Sequence, residues 1–311
     1  MTSLFRVQLF FFVSESMGVC RLIEYINTKH KHLIQPIHLF PGSHRLLEGK
    51  RAFVDAQIYI IRHCLRSSRP EDIAHQFTFM HNQLLRATKR QPLFVMDNEL
   101  RSPLKDLYTN REISKTRLNK NEHYKEMITN KSSFNIGLHA EFSKQGMKLV
   151  TAPAGFEAEQ TCASLAEKVD GFVVSEDSDS LVFGAPVFVK GFPNNLQVVV
   201  LHEFLKELGI TRDQLIDVSL MSGCDFASKI PGVGIAKAIE AVKKFGSIEM
   251  FIEHRKIVDK DYHMYSFFVE SFDYQRGREV FNATLDDEIA ATILGRVNRP
   301  PRLEIVSSET I

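Results

Sequence analysis

No two of the four cysteines in this 311-residue chain form a CxxC pair; Cys20, Cys64, Cys162 and Cys224 are scattered. Neither a zinc site nor a disulfide framework is therefore indicated, which fits a reducing, intracellular compartment. The apolar stretch in MTSLFRVQLFFFV at the start is too short to span a membrane. No acid precedes Glu15 and no clear small-residue cleavage site follows. That segment reads as a weak organelle presequence or signal-like stretch, or equally as an upstream start before Met17. Internal repeats are absent. Net charge is nearly absent too, with 39 Lys and Arg against 38 Asp and Glu.

What is present is ordinary for a globular protein. Hydrophobic residues make up 44% and charged residues 25%, over a length that builds one large or two small domains. The balanced total hides an asymmetry. Arg101 to Lys148 holds ten Lys or Arg (101, 105, 111, 115, 117, 120, 125, 131, 144, 148) against five acids (106, 112, 122, 126, 141). A nucleic-acid binder needs only such a local basic face, although a solvated basic helix has the same composition.

KRAFVDAQIYII (50–61) and QPLFVMDN (91–98) each read as a buried strand that carries an Asp toward its C-terminal end. Ser68 to Lys89 fits a helix with Pro70 near its start. Leu100 to about Lys144 is polar and basic with little hydrophobic periodicity, which predicts a segment outside the core. KLVTAP (148–153) is a third strand, and GFEAEQTCASLAEKV follows with Cys162, Leu165, Ala166 and Val169 at helical spacing. GFVVSEDSD is a strand running into an acidic loop, and APVFVKGF and LQVVVL are two strands joined by a Pro-Asn-Asn turn. Next come helices. A capping box from Thr211 to Gln214 opens one that stops near Gly223. IPGVGIAKAIEAVKKFG is a glycine hairpin and a helix, and SIEMFIEHRK is another with Ser247 as N-cap. The alternation predicts an α/β fold with a parallel sheet, then a helical module, with a tail after about residue 285.

SEDSDSLVFG (175–184) sets Glu176, Asp177 and Asp179 almost side by side. A solvated acidic turn would explain that loop taken alone. Asp55 and Asp97, however, also fall at strand ends, Glu157 and Glu159 open a helix, and Asp177 and Asp179 follow the fourth strand. Ligands of open parallel sheets gather at that carboxyl edge. An i, i+2 spacing in extended chain puts Asp177 and Asp179 on one face, and the helix dipole favours Glu157 and Glu159 at its start. At least six carboxylates at one edge call for hard cations, Mg²⁺ or Mn²⁺. A pair of such ions about 3.5–4 Å apart hydrolyses phosphodiesters. KIPGVGIAKA adds Gly232 and Gly234, the glycines of a helix-hairpin-helix whose backbone N–H groups cradle a phosphate, with Lys237, Lys243 and Lys244 beyond.

Taken in order, MGVCRLIEYI, RAFVDA, PLFVMDN, GFEAEQTCASLAEKVDGFVVSEDSDSLVFG and SGCDFASKIPGVGIAKAIEAVKKFGSIEMFIE resemble the flap endonuclease family of structure-specific 5′ nucleases, which includes exonuclease one and the xeroderma-type nucleases. The resemblance covers roughly residues 17–285. It implies a PIN-like parallel sheet flanked by helices, a helical arch and a C-terminal helix-hairpin-helix. By the same resemblance Asp55, Asp97, Glu157 and Glu159 surround one metal position, and Asp177, Asp179 and Asp225 the other. Lys105 and Arg111 fall roughly where arch cations steady the scissile phosphate. The hairpin, with Gly232, Gly234 and Lys237, would hold the downstream duplex, with a bound K⁺, and Gly18 would lie beside the DNA.

The implied layout is an N-terminal extension (1–16), a nuclease core (17–210) with its arch at about 100–145, a helix-hairpin-helix module (211–285) and a tail (286–311). Family members begin at a Met-Gly like Met17-Gly18, so the active form is expected to start near Gly18. Only 60 positions separate Asp97 from Glu157, a short arch. Ile61 stands where the family places a base-stacking aromatic or His, with Tyr59 nearby but out of phase. RPPRLEIVSSETI carries no sliding-clamp motif, so clamp tethering is not expected. The expectation is a monomeric Mg²⁺ nuclease, Mn²⁺ substituting, that acts on branched, flapped or nicked duplex DNA in replication or repair. Its expected compartment is nuclear, or mitochondrial by way of the N-terminal segment. A catalytically silent scaffold or RNA-associated regulator is the alternative, and retention of all seven acids counts against it.

Overall fold

In the computed structural model, residues 19, 21–37, 46–100, 118, 120–193, 195–258 and 272–298 are described. The short apolar runs Ala52–Asp55 (β2), Leu93–Met96 (β3) and Phe172–Val174 (β5) are buried at every position, as strands covered on both faces must be. With Gln35–Pro36 (β1), Lys148–Thr151 (β4), Val187–Lys190 (β6) and Gln197–Val200 (β7) they form a seven-stranded sheet in the order β1-β7-β6-β5-β2-β3-β4. β2 to β6 run parallel; β7 and β1 are antiparallel to their neighbours. The chain moves outward from β2 to β4, then returns to place β5 on the other side of β2. The sheet order therefore reverses between β2 and β5, where a parallel sheet opens its crevice.

Alternate residues feed two cores. Phe53, Val95, Val173 and Phe188 face one, while Val54, Phe94, Val174 and Val189 face the other. The second core is covered by Gln57–Cys64 (α2), Pro70–Thr88 (α3), Glu122–Thr129 (α4) and Lys131–Lys144 (α5). The first is covered by Leu22–Lys29 (α1), Ala158–Lys168 (α6), Asp179–Val182 (α7) and Leu201–Leu208 (α8), and by the helices of the C-terminal module. Those are Arg212–Ser222 (α9), Ile235–Phe245 (α10), Ile248–Val258 (α11), Tyr274–Asn282 (α12) and Asp287–Asn298 (α13). Among the described residues no helix is long and apolar enough to cross a membrane.

Three expectations change. The apolar run 50–61 is not one strand. β2 stops at Asp55, whose Oδ1 accepts the Gln57 N–H at 3.1 Å. This carboxylate satisfies a first-turn donor of α2, so Ile58, Tyr59 and Ile60 are buried on a helix. The span 100–144 does not lie wholly outside the core, because Phe134, Leu138 and Phe142 make a buried i, i+4, i+8 stripe on α5. A Cβ on Gly137 would stand 3.0 Å from Pro70 Cγ, a measure of how closely α5 meets the start of α3. The stretch read as a tail carries α13, with Ala290 and Ile293 in the first core. The capping box is as expected: Thr211 Oγ1 accepts from the Gln214 N–H, and Gln214 Oε1 from the Thr211 N–H.

Candidate metal centre

Hydrogen bonds from neighbouring elements fix the acid at each strand end. Asp55 closes β2; its Oδ2 accepts from the Ser175 hydroxyl at 2.7 Å. Asp97 follows β3; its N–H donates to Gln57 Oε1 at 3.2 Å and its Oδ1 accepts the Ala158 N–H at 2.9 Å. The Asp97 carboxylate thus caps the first turn of α6, where the helix dipole favours it. That aligns it with Glu157, the extended N-cap residue of the same helix, and with Glu159 in its first turn. Carboxylate oxygens of Asp97, Glu157 and Glu159 all lie within 4.8 Å of one another.

A second group forms across β5. The Ser175 Oγ accepts the Asp177 N–H at 2.9 Å, and Asp177 Oδ1 accepts the Asp179 N–H at 2.9 Å. The chain is already turning into α7 at Asp179, so the expected extended i, i+2 geometry is not what brings these acids together; the side-chain turn does. Asp225 completes the group from the C-terminal module, in the turn that the Cys224–Ala227 bridge closes after α9. Asp177, Asp179 and Asp225 oxygens also lie within 4.8 Å of one another.

Asp55 joins the two. Burial pushes its carboxyl well above the usual range, and Glu159 and Asp97 from the first group and Asp177 from the second push it further, against the Ser175 bond. Buried like charges at this spacing need a counter-charge. The donor set says of what kind. Burial, then Asp55, Glu159 and Asp97, raise the Cys162 thiol well above its normal value, and burial and Asp179 do the same to Cys224. Neither thiol belongs to a triad: the atoms that converge in both groups are carboxylate oxygens. The available donors are carboxylate oxygens, which fit hard divalent cations.

The comparisons agree. A family model described as the XPG I-region matches residues 146–225, which contain Glu157, Glu159, Asp177, Asp179 and Asp225. Flap endonuclease 1-A of Oryza sativa subsp. japonica is 30% identical over 271 residues, covering 76% of this chain and 70% of the rice protein. The chain belongs to the flap endonuclease family. Flap endonuclease 1-A of Sorghum bicolor is 37% identical over 151 residues, 45% of this chain and 38% of the sorghum protein. The solved structure of human GEN1 in complex with Holliday junction DNA shares the fold at 22% identity, with a TM-score of 0.62 over 86% of this chain and 67% of that one. The PIN-like sheet and membership of this family of structure-specific 5′ nucleases are therefore as the sequence implies, and the two oxygen-donor triads suit a divalent metal.

Of the other candidates, Gly18, Lys105 and Arg111 lie outside the described residues. Gly232 takes φ +74°, and an added Cβ at Gly232 or Gly234 would meet nothing within 4 Å, so the hairpin backbone is open to an approaching group. Lys237 folds back, its Nζ donating to Gly232 O at 3.1 Å. Sequence reasoning passed over Ser175 and Gln57, whose roles depend on which strands are neighbours. It grouped Glu176 with its acidic neighbours, but Glu176 Oε1 instead accepts from the Tyr59 hydroxyl at 3.0 Å and the Gly191 N–H at 3.1 Å. Tyr59 is accordingly buried.

Proposed function

We propose that the protein is a Mg²⁺-dependent nuclease that cuts branched or nicked DNA near a 5′ end, by flap cleavage, 5′→3′ exonuclease action or both, in replication or repair. The observation that carries this reading is the pair of carboxylate triads with Asp55 between them. Asp97, Glu157 and Glu159 would hold one ion and Asp177, Asp179 and Asp225 the other. When bound, such ions polarise a phosphodiester and supply an activated water. The chain itself fixes the carboxylates, through the α6 N-terminus and Ser175, so little reorganisation accompanies the reaction. Lys105 and Arg111 add positive charge beside the scissile phosphate, and the hairpin at Gly232 and Gly234, with Lys237 and a K⁺ ion, holds the duplex backbone. The protein acts as a monomer, in the nucleus or, if the N-terminal segment directs import, in mitochondria.

The test offers purified protein a 5′-flap duplex, a nicked duplex and a four-way junction, with Mg²⁺ or EDTA. Asp179→Ala is expected to lower cleavage by more than about 100-fold without lowering Tm, since it also relieves like-charge repulsion. Cleavage that survives EDTA, or that Asp179→Ala leaves intact, overturns the reading.

A further inference from the structure

We propose that Ser175 is the positioning residue that couples the two carboxylate groups, an inference that rests on reading those groups as the metal centre. Ser175 sits where the sheet order reverses, between β2 and β5. Its N–H donates to Val189 O at 3.1 Å, so its backbone is held by β6 rather than by the loop that follows. From that fixed, fully buried position its hydroxyl donates to Asp55 Oδ2, 120 positions away in sequence, and accepts the Asp177 N–H. A hydroxyl has the one donor and spare lone pairs that both bonds require.

The bond is part of a continuous chain. The Ala158 N–H donates to Asp97, the Asp97 N–H to Gln57 Oε1 and the Gln57 N–H to Asp55. Ser175 then joins Asp55 to Asp177, whose carboxylate takes the Asp179 N–H. The Asp97, Asp55 and Asp177 carboxylates each accept a bond on that path, Asp179 enters it by its N–H, and Ser175 is the link between the first group's side and the second's. The same loop has another anchor, the Tyr59 bond to Glu176, which touches neither triad. The two anchors separate a positioning role from a merely structural one.

The experiment titrates Mn²⁺ alone into DNA-free protein by calorimetry, with Tm measured alongside. Ser175→Ala is expected to weaken Mn²⁺ binding by about 10–100-fold, the usual effect of removing a bond that orients a ligand. Ser175→Thr, which keeps the hydroxyl, is expected to bind close to wild type. Tyr59→Phe is expected to lower Tm and leave the isotherm unchanged. A wild-type isotherm for Ser175→Ala, or an equal loss in Tyr59→Phe, overturns the coupling while leaving the metal centre standing. No Mn²⁺ binding by the wild-type protein overturns the metal reading itself, and this inference with it.

Discussion

The two carboxylate triads are built differently. Asp97, Glu157 and Glu159 come from one strand end and the start of one helix, all within the sheet and its α6 crossover. Asp177 and Asp179 follow β5 of that sheet, but Asp225 arrives from the turn after α9. The first group takes all its acids from the core, whose α6 also bonds the C-terminal module through Gln160 to Val280 O and Ala283 O; the second takes Asp225 from that module. An aromatic cluster adds to that docking. Phe226, beside Asp225, packs with Phe183 just after α7 and Phe281 on α12, with ring centroids 4.9–5.8 Å apart and tilted to edge-on geometry. α12 is held in turn by Arg278, which donates to Asp217 on α9 at 2.6 Å and to Glu249 on α11 at 2.7 Å.

The largest break in this asymmetry is expected from Phe226→Ala. It empties a fully buried ring site at a cost of about 3–5 kcal/mol, and should reduce Mn²⁺ stoichiometry by the second site while the first persists. Urea unfolding and Mn²⁺ calorimetry check both halves; equal loss at the two sites would erase the distinction. Arg278→Ala comes next. Burial pushes the Asp217 carboxyl up, and the Arg278 bonds hold it down. Removing the guanidinium should cost about 1.5–3 kcal/mol in urea unfolding and leave the first triad's affinity unchanged.

The smallest effect belongs to Glu249→Gln. The Arg278 bond is the largest of the influences that hold the Glu249 carboxyl at about 2, below its ordinary 4.5. A carboxyl depressed on folding stabilises above its unfolded value, and that share is lost as pH falls from 4.5 toward about 2. The pair is open to solvent, so less than about 1 kcal/mol is at stake. Thermal melts across that window should fall less steeply in Glu249→Gln than in wild type; parallel curves would remove Glu249 from the latch.

The first triad was legible in the sequence because its determinants are local: an Asp after an apolar run, and acids at a helix start. Asp225 came through family resemblance, since nothing in GCDF itself says that its carboxylate returns to the sheet edge. The stripe on α5 escaped notice because Phe134, Leu138 and Phe142 are spaced among Lys, Ser, Asn and Glu in a segment whose charge dominates its composition. Ser175 could not be weighed before the strand order was known, because its partner Asp55 is made adjacent only by the return of β5 beside β2. Gly191 is another non-local case. It takes φ +87°, and an added Cβ would fall 2.0 Å from Asn195 O, so the tight start of the β6–β7 turn admits no side chain while its N–H reaches Glu176.

The Phe281 wedge also sets a schedule. During synthesis all seven carboxylates leave the ribosome once Asp225 has emerged, yet the ring that seats Asp225 is made 56 residues later. A nascent chain therefore carries a complete set of acids without a complete pair of triads.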